Sequence, residues 1–111
     1  MEIIHTPYKR CDVVKVKGRL DSASAPTFDE KLREITASGR YRIVIDMSAL
    51  EFISSAGLRV LINTQKVCKR YNRGQVVLAE VPENIKAALD LAGFTQLFKI
   101  FPDLVSAVAN I

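Results

Sequence analysis

Two adjacent serines, Ser54 and Ser55, stand immediately before a stretch of helical periodicity and are the side chains of this chain best placed for chemistry. A serine at the N-cap of a helix accepts a hydrogen bond from a first-turn amide that would otherwise be unpaired. We therefore predict that one hydroxyl caps the helix and that its neighbour lies at the helix mouth.

The helix that follows the serines has an apolar side and a basic side. At about 100° per residue, the core side falls on Leu58, Leu61, Ile62, Gln65 and Cys68. The opposite flank carries Arg59, Asn63, Lys66, Arg70 and Arg73, and Ser55 projects on it one turn before Arg59. Free amides, the positive end of the helix dipole and a guanidinium would all favour a dianion there. The pattern fits a site for phosphate, carried by a ligand or by the serine itself. The alternative is that the serines only cap the helix and the basic flank is solvated.

Hydrolytic chemistry at these serines is not expected. A nucleophile elbow needs a glycine two residues before the serine, but Ile53 stands there for Ser55 and Phe52 for Ser54. The only imidazole is His5, far away in the sequence, and no Walker or Rossmann glycine motif is present. We predict a protein that is not an enzyme and has no cofactor; nucleotide binding would depend on the helix mouth alone.

Composition limits the other classes of site. Cys11 and Cys68 are far apart and outside any Cys-x-x-Cys or Cys/His spacing, so no metal site is predicted. The net charge is +4, but the 16 cations are interspersed with 12 acids and only 7% of residues are aromatic, so we expect no direct nucleic-acid binding. The 111 residues, 49% of them hydrophobic, predict one domain over 1–111. No signal peptide and no run of 18 apolar residues is seen, which predicts a cytoplasmic protein without membrane contact.

Strand and helix patterns alternate along the chain. Strands are expected at residues 2–6, 11–17, 43–45, 75–80 and about 97–100, and helices begin near Ala25 (capped by Ser24), at the serine pair, at Pro82 and at Pro102. Asp46 and Ser48 are expected to return the chain to water in a short polar turn before the serines. The order predicts an α/β fold with a mixed sheet of four to five strands flanked by about four helices.

The central stretch resembles the signature of STAS domains, especially those of bacterial anti-sigma factor antagonists. The resemblance lies in Ile45-Asp46-Met47-Ser48 and in Phe52-Ile53-Ser54-Ser55-Ala56-Gly57-Leu58. Gly18-Arg19-Leu20-Asp21 and Leu91-Ala92-Gly93-Phe94 also look like family segments, so the resemblance covers essentially the whole chain. Ser54 stands where the family typically has aspartate, and Ala56 replaces a second hydroxyl residue.

The resemblance implies a function by partner switching. In that family the serine after the aspartate is phosphorylated by an anti-sigma factor that is itself a serine kinase, which implies Ser55 here, with Ser54 as a second candidate. The implied activity is to bind that kinase and free the sigma factor, with a serine phosphatase as a possible further partner. The expected partner-binding residues are Asp21, Ser22, Ser54, Ser55, Ala56, Gly57, Arg59, Val60 and Asn63.

Two alternatives remain open, one at the level of residues and one within the family resemblance. Asp21 and Ser22 either lie near Ser55 on the partner surface or serve only the turn that contains them. The chain as a whole could instead be a STAS module of another signalling or lipid-transport assembly, without phosphorylation.

Val60 lies outside the narrowest core stripe, and we expect it to remain partly exposed as a partner anchor while the first helix covers most of Val67.

Overall fold

Six strands and four helices make up the fold in the computed structural model, which describes residues 1–71 and 73–111. The strands are β1 Glu2–Pro7, β2 Asp12–Leu20, β3 Arg42–Asp46, β4 Leu50–Ile53, β5 Gln75–Ala79 and β6 Lys99–Phe101. The helices are α1 Ala25–Ala37, α2 Ser55–Lys69, α3 Glu83–Leu91 and α4 Leu104–Asn110, with a 3₁₀ turn at Thr95–Leu97. The predicted mixed α/β fold is confirmed.

The sheet has the order β1-β2-β3-β5-β6. The hairpin β1–β2 is antiparallel, and every other pairing is parallel, with Val13, Val44 and Val77 in register across the centre. β4 lies off this order and pairs in parallel with the carboxyl-terminal part of β2, where the register of β2 shifts between Gly18 and Arg19. One long strand therefore serves two parallel partners.

The two faces of the sheet are covered unequally. Helices α1, α2 and α3 cover one face, where Phe28, Leu32, Ile43, Ile45 and Leu61 belong to the main core and are fully buried. The other face has a smaller apolar cluster under α4, formed by Cys11, Val13, Val44, Val77, Ala79 and Ala107. Within residues 1–71 and 73–111, no helix has the length and apolar character needed to cross a bilayer.

The strand count exceeds the expected four to five because residues 50–53 form β4 instead of belonging to a polar turn. Leu50 and Ile53 are buried while the two residues between them are exposed, and the segment gains pairing partners from β2 that the local sequence does not reveal. Asp46 is also buried, at 5% exposure, and does not return to water as predicted. Its Oδ1 accepts a hydrogen bond from the Ser48 amide at 3.0 Å, so the carboxylate closes the turn.

The side chain of Gln65 on α2 supplies hydrogen bonds to β5 at a position that β6 does not reach. Its Oε1 accepts from the Val76 amide at 2.6 Å, and its Nε2 donates to the carbonyls of Val76 at 3.1 Å and Leu97 at 2.8 Å. The side chain is 6% exposed and fully hydrogen-bonded, which is the condition for burying an amide without a large penalty. Helix α2 is thereby bonded directly to β5 and to the segment that leads into β6.

Candidate functional site

The two serines have different roles at the start of α2. Ser54 is the N-cap, with extended backbone, and its hydroxyl accepts from the Gly57 amide at 3.3 Å. Ser55 is the first helical residue and is exposed, and among residues 1–71 and 73–111 its hydroxyl has no hydrogen-bond partner. The structure thus divides the hydroxyls as the sequence predicted. Serine and aspartate are both good N-caps, so Ser54 keeps the capping function at this position and lacks only the charge.

The sheet fixes where the helix begins. The Ser54 amide donates to the carbonyl of Leu20, the last residue of β2, at 2.8 Å. Gly57 packs so closely that a Cβ atom there would lie 2.7 Å from Cγ of Leu20 and 3.0 Å from Cγ1 of Ile53. Gly57 is buried, which does not favour its expected role as a partner contact; it lets the helix approach β2 and β4 and so positions Ser55.

A depression of about 300 Å³ lies beside Ser55, between α1 and α2. Five of the predicted partner residues meet there, and the lining consists of Ser22, Ala25, Pro26, Asp29, Ala56, Arg59, Val60 and Asn63. Arg59 is exposed, whereas Asp29 on the opposite wall pairs with Arg33 at 2.8 Å. The first turn of α2 contains no acidic residue, so Arg59 is the charged side chain of that helix nearest to Ser55.

Val60 is not the exposed anchor that the sequence predicted. It is 8% exposed and belongs to the main core, because α1 packs across this part of α2. Val67 lies two helical turns after Val60 and is half-buried at the same contact between α1 and α2. The sequence analysis expected α1 to cover Val67, but helical periodicity did not show that the same contact between the helices also covers Val60.

Asp21 is used within its own turn. Its Oδ1 accepts from the amides of Ala23 at 3.1 Å and Ser24 at 3.0 Å, and these bonds with the Ser24 backbone and hydroxyl lower the pKa of the carboxyl. Ser24 holds the N-cap position of α1, but its hydroxyl bonds to the Arg19 carbonyl at 2.9 Å and makes no capping bond. Asp21 lines a different depression from Ser22, so only Ser22 of this pair faces the α1–α2 depression.

One residue near the helix mouth was missed in the sequence as a contact candidate. Phe52 on β4 is 37% exposed, and the guanidinium of Arg19 lies 4.3 Å from the centre of its ring. The available signal was an aromatic residue two positions before Ser54, but its exposure depends on β4 being a strand. Across the described residues no cluster of histidine, cysteine or carboxylate side chains could hold a metal ion.

Known proteins are similar to this chain in sequence and in fold. The STAS domain family model matches residues 5–107. BtrV of Bordetella bronchiseptica, which carries the name of an anti-sigma factor antagonist, is 30% identical over 94 residues, covering 85% of this chain and 80% of BtrV. The anti-sigma-F factor antagonist RsfB of Mycobacterium tuberculosis is 29% identical over 100 residues, covering 89% of this chain and 80% of RsfB.

A solved structure supports the same assignment at the level of the fold. The crystal structure of the protein tm1081 of Thermotoga maritima superposes with a TM-score of 0.90 at 20% identity, covering 98% of this chain and 93% of that one. The chain therefore belongs to the STAS domain family, and its curated relatives within that family are anti-sigma factor antagonists.

Proposed function

We propose that this chain is an anti-sigma factor antagonist that binds an anti-sigma factor serine kinase in the cytoplasm and frees the sigma factor. Phosphorylation of Ser55 switches the binding off, and a serine phosphatase restores it. The observation that carries the proposal is the hydroxyl of Ser55, which is exposed at the start of α2 and is not needed for the cap, because Ser54 supplies that.

The surroundings of Ser55 are compatible with a phosphate on this domain. A phosphoserine carries roughly −1.5 to −2 charges at neutral pH. At the first position of α2 it lies at the positive end of the helix dipole, with the exposed Arg59 four residues on. The modified domain should therefore remain folded.

The effect on a partner is the opposite. The partner surface we propose consists of Ser55 with the exposed and lining residues Ser22, Ala56, Arg59 and Asn63, and Phe52 adds an exposed ring beside it. A partner that packs against a small hydroxyl must either desolvate a dianion or be held away from it. An unpaired buried charge costs several kcal/mol, which corresponds to a loss of affinity of orders of magnitude.

The test is to purify the tagged chain from its own organism, identify the kinase that co-purifies, and incubate the pair with ATP. Mass spectrometry should locate one phosphate on Ser55. By calorimetry, Ser55→Ala should bind the kinase as wild type does and accept no phosphate, whereas Ser55→Glu should bind more weakly, with one charge and a different shape. Ser54→Ala is the matched control and should still be phosphorylated at Ser55.

The outcomes separate the alternatives. A phosphate on Ser54 would mean that the acceptor assignment is wrong. Stable association with a partner but no phosphate on either serine would support a STAS module with another client. Unchanged affinity after stoichiometric phosphorylation of Ser55 would refute the switch even if the partner were correct.

A further inference from the structure

Three loops meet at the amino ends of the parallel strands, the end of the sheet opposite Ser55. The guanidinium of Arg40, before β3, donates to the carbonyls of Tyr8, of Lys9 at 3.3 Å and of Cys11 at 3.2 Å, all before β2. The Gln75 amide at the start of β5 donates to the Tyr41 carbonyl at 2.8 Å. We call this surface the basic end, because its cations are Lys9, Arg10, Arg40, Arg42, Lys69, Arg70 and Arg73.

The fold gathers charge that is interspersed in the sequence. Seven of the 16 cations belong to the basic end, and the only carboxylate of its three segments is Asp12. Asp12 is buried and already engaged by His5 and Arg40, each at 2.6 Å. In the rest of the chain the remaining nine cations are outnumbered by 11 of the 12 acids. The net positive charge of the protein is thus concentrated at one end of the fold. The interspersion of charges in the sequence is therefore no longer a reason to exclude a polyanionic partner.

Aromatic side chains lie among these cations. All 3 tyrosines of the chain are in the same segments. The rings of Tyr41 and Tyr71 stack with centres 3.7 Å apart and planes 5° from parallel. Tyr8 and Tyr71 each remain 48% exposed. Tyr41 lies with Arg10, Arg40 and Arg42 in one depression, and Tyr71 stacks on it. Unstacked nucleic-acid bases bind to exposed rings of this kind where cations lie nearby.

A small depression at this end fits a phosphate group. It has a volume of about 190 Å³ and is lined by Arg10, Gly39, Arg40, Tyr41, Arg42 and Gly74. Gly74 shapes it, because a Cβ atom there would lie 2.1 Å from the Cys68 carbonyl oxygen. Gly39 has a φ of +87°, which other residues rarely adopt. The depression is therefore built by backbone that tolerates little substitution.

Stabilisation of helix ends is a simpler explanation for cations at this position. Helices α1 and α2 both end here, and each C-terminus carries a partial charge of about −0.5. Two such ends amount to about one negative charge. Besides Arg40, which is engaged by Asp12, six cations remain at this end, and they exceed that requirement.

We propose that the basic end binds single-stranded nucleic acid, with phosphates on the arginines and a base stacked on Tyr71. Charge alone would equally fit an acidic protein segment or an anionic bilayer. The exposed tyrosines favour nucleic acid, because bases offer a face for stacking and carboxylates do not.

The test measures binding of the full chain to fluorescein-labelled 12-nucleotide oligouridylate and oligothymidylate by fluorescence anisotropy between 50 and 300 mM NaCl. The triple variant Arg10→Gln/Arg70→Gln/Arg73→Gln removes three exposed cations of the basic end. Its matched control, Lys17→Gln/Lys86→Gln/Lys99→Gln, removes three cations from β2, α3 and β6. The first should lose about tenfold or more in affinity, and its slope of log affinity against log salt should fall by about 2, or roughly 0.7 per phosphate contact. The control should stay within about twofold of wild type.

Stacking is tested separately from charge. Tyr71→Ala should weaken binding at least about fivefold, whereas Tyr71→Phe keeps the ring and should bind as wild type does. Ser55→Glu, at the opposite end, should leave oligonucleotide affinity unchanged, so failure of the partner switch and failure of this proposal are distinguishable. The proposal would be overturned by absence of binding at 50 mM NaCl or by equal losses of affinity in the two triple variants. It would also be overturned if poly-glutamate bound as tightly as the oligonucleotides and Tyr71→Ala did not weaken oligonucleotide binding, a result that would indicate an acidic protein partner.

Discussion

Gln65→Leu tests whether the side chain that joins α2 to β5 stabilises the fold through its hydrogen bonds. Leucine is of comparable size but branched at Cγ, and its side chain can neither donate nor accept. The change leaves the buried Val76 amide without its 2.6 Å partner and removes one donor each from the carbonyls of Val76 and Leu97. The packing of α2 against the sheet is otherwise retained.

The expected loss follows from these three bonds. An unpaired buried amide costs about 1–3 kcal/mol, and each carbonyl that loses a bond about 1 kcal/mol. The apolar side chain returns about 1–2 kcal/mol by burial in place of an amide. The free energy of unfolding should therefore fall by about 1–4 kcal/mol, or roughly 4–16 °C in Tm for a domain of this size.

Urea unfolding followed by circular dichroism at pH 7 measures the change, with the m-value checking that both proteins unfold in the same way. Asn63→Leu is the matched control, since Asn63 is exposed on the same helix and should change stability by less than about 0.5 kcal/mol. A Gln65→Leu variant as stable as wild type would refute the reasoning, because it would mean that desolvation of the amide cancels its three bonds.

Further predictions concern single side chains. Val60→Asp should lower the free energy of unfolding by about 3 kcal/mol or more, and Val60→Ala by about 1.5–2.5 kcal/mol, both measured in urea, because Val60 is core. Ser54→Ala should cost about 1 kcal/mol through loss of the cap, while Ser55→Ala should be neutral within about 0.5 kcal/mol. Burial raises the pKa of the Cys68 thiol from 9.0 to about 11, so its contribution is intact below the unfolded pKa and is lost as the pH rises through that interval. The free energy of unfolding of wild type, measured in urea, should therefore fall more steeply above about pH 9 than that of Cys68→Ala, by up to about 1.4 kcal/mol per pH unit, and parallel curves would contradict this.

Periodicity located most of the fold. The sequence predicted strands β2, β3 and β5 from their β-branched runs and helix α2 from its apolar stripe. These patterns are recognisable because a strand or helix that packs on a core repeats its apolar side chains at a fixed spacing. The sequence did not predict strand β4, since only Leu50 and Ile53 of its four residues are buried and its paired residues in β2 lie 32 or 33 positions earlier. In so short a segment, pairing with β2 determines the strand conformation more than the local sequence does.

The same distinction applies to the site. The division of Ser54 and Ser55 into a cap and an exposed hydroxyl depends on local helix chemistry, and the sequence predicted it. The burial of Gly57 and Val60 depends on Leu20, Ile53 and helix α1, which only the folded chain brings against them. Tertiary packing, which the local sequence does not describe, therefore determines which residues near the start of α2 are available to a partner.

The bond between the Ser54 amide and the last carbonyl of β2 has a consequence for hydrogen exchange. Loops that carry functional residues commonly open with little free energy, but the mouth of α2 is attached to β2, which also pairs with β1, β3 and β4. The Ser54 amide should then exchange only when the centre of the sheet opens, as slowly as the amides of β3. A partner would meet Ser55 as a preformed surface and would not lose affinity to the ordering of a flexible loop.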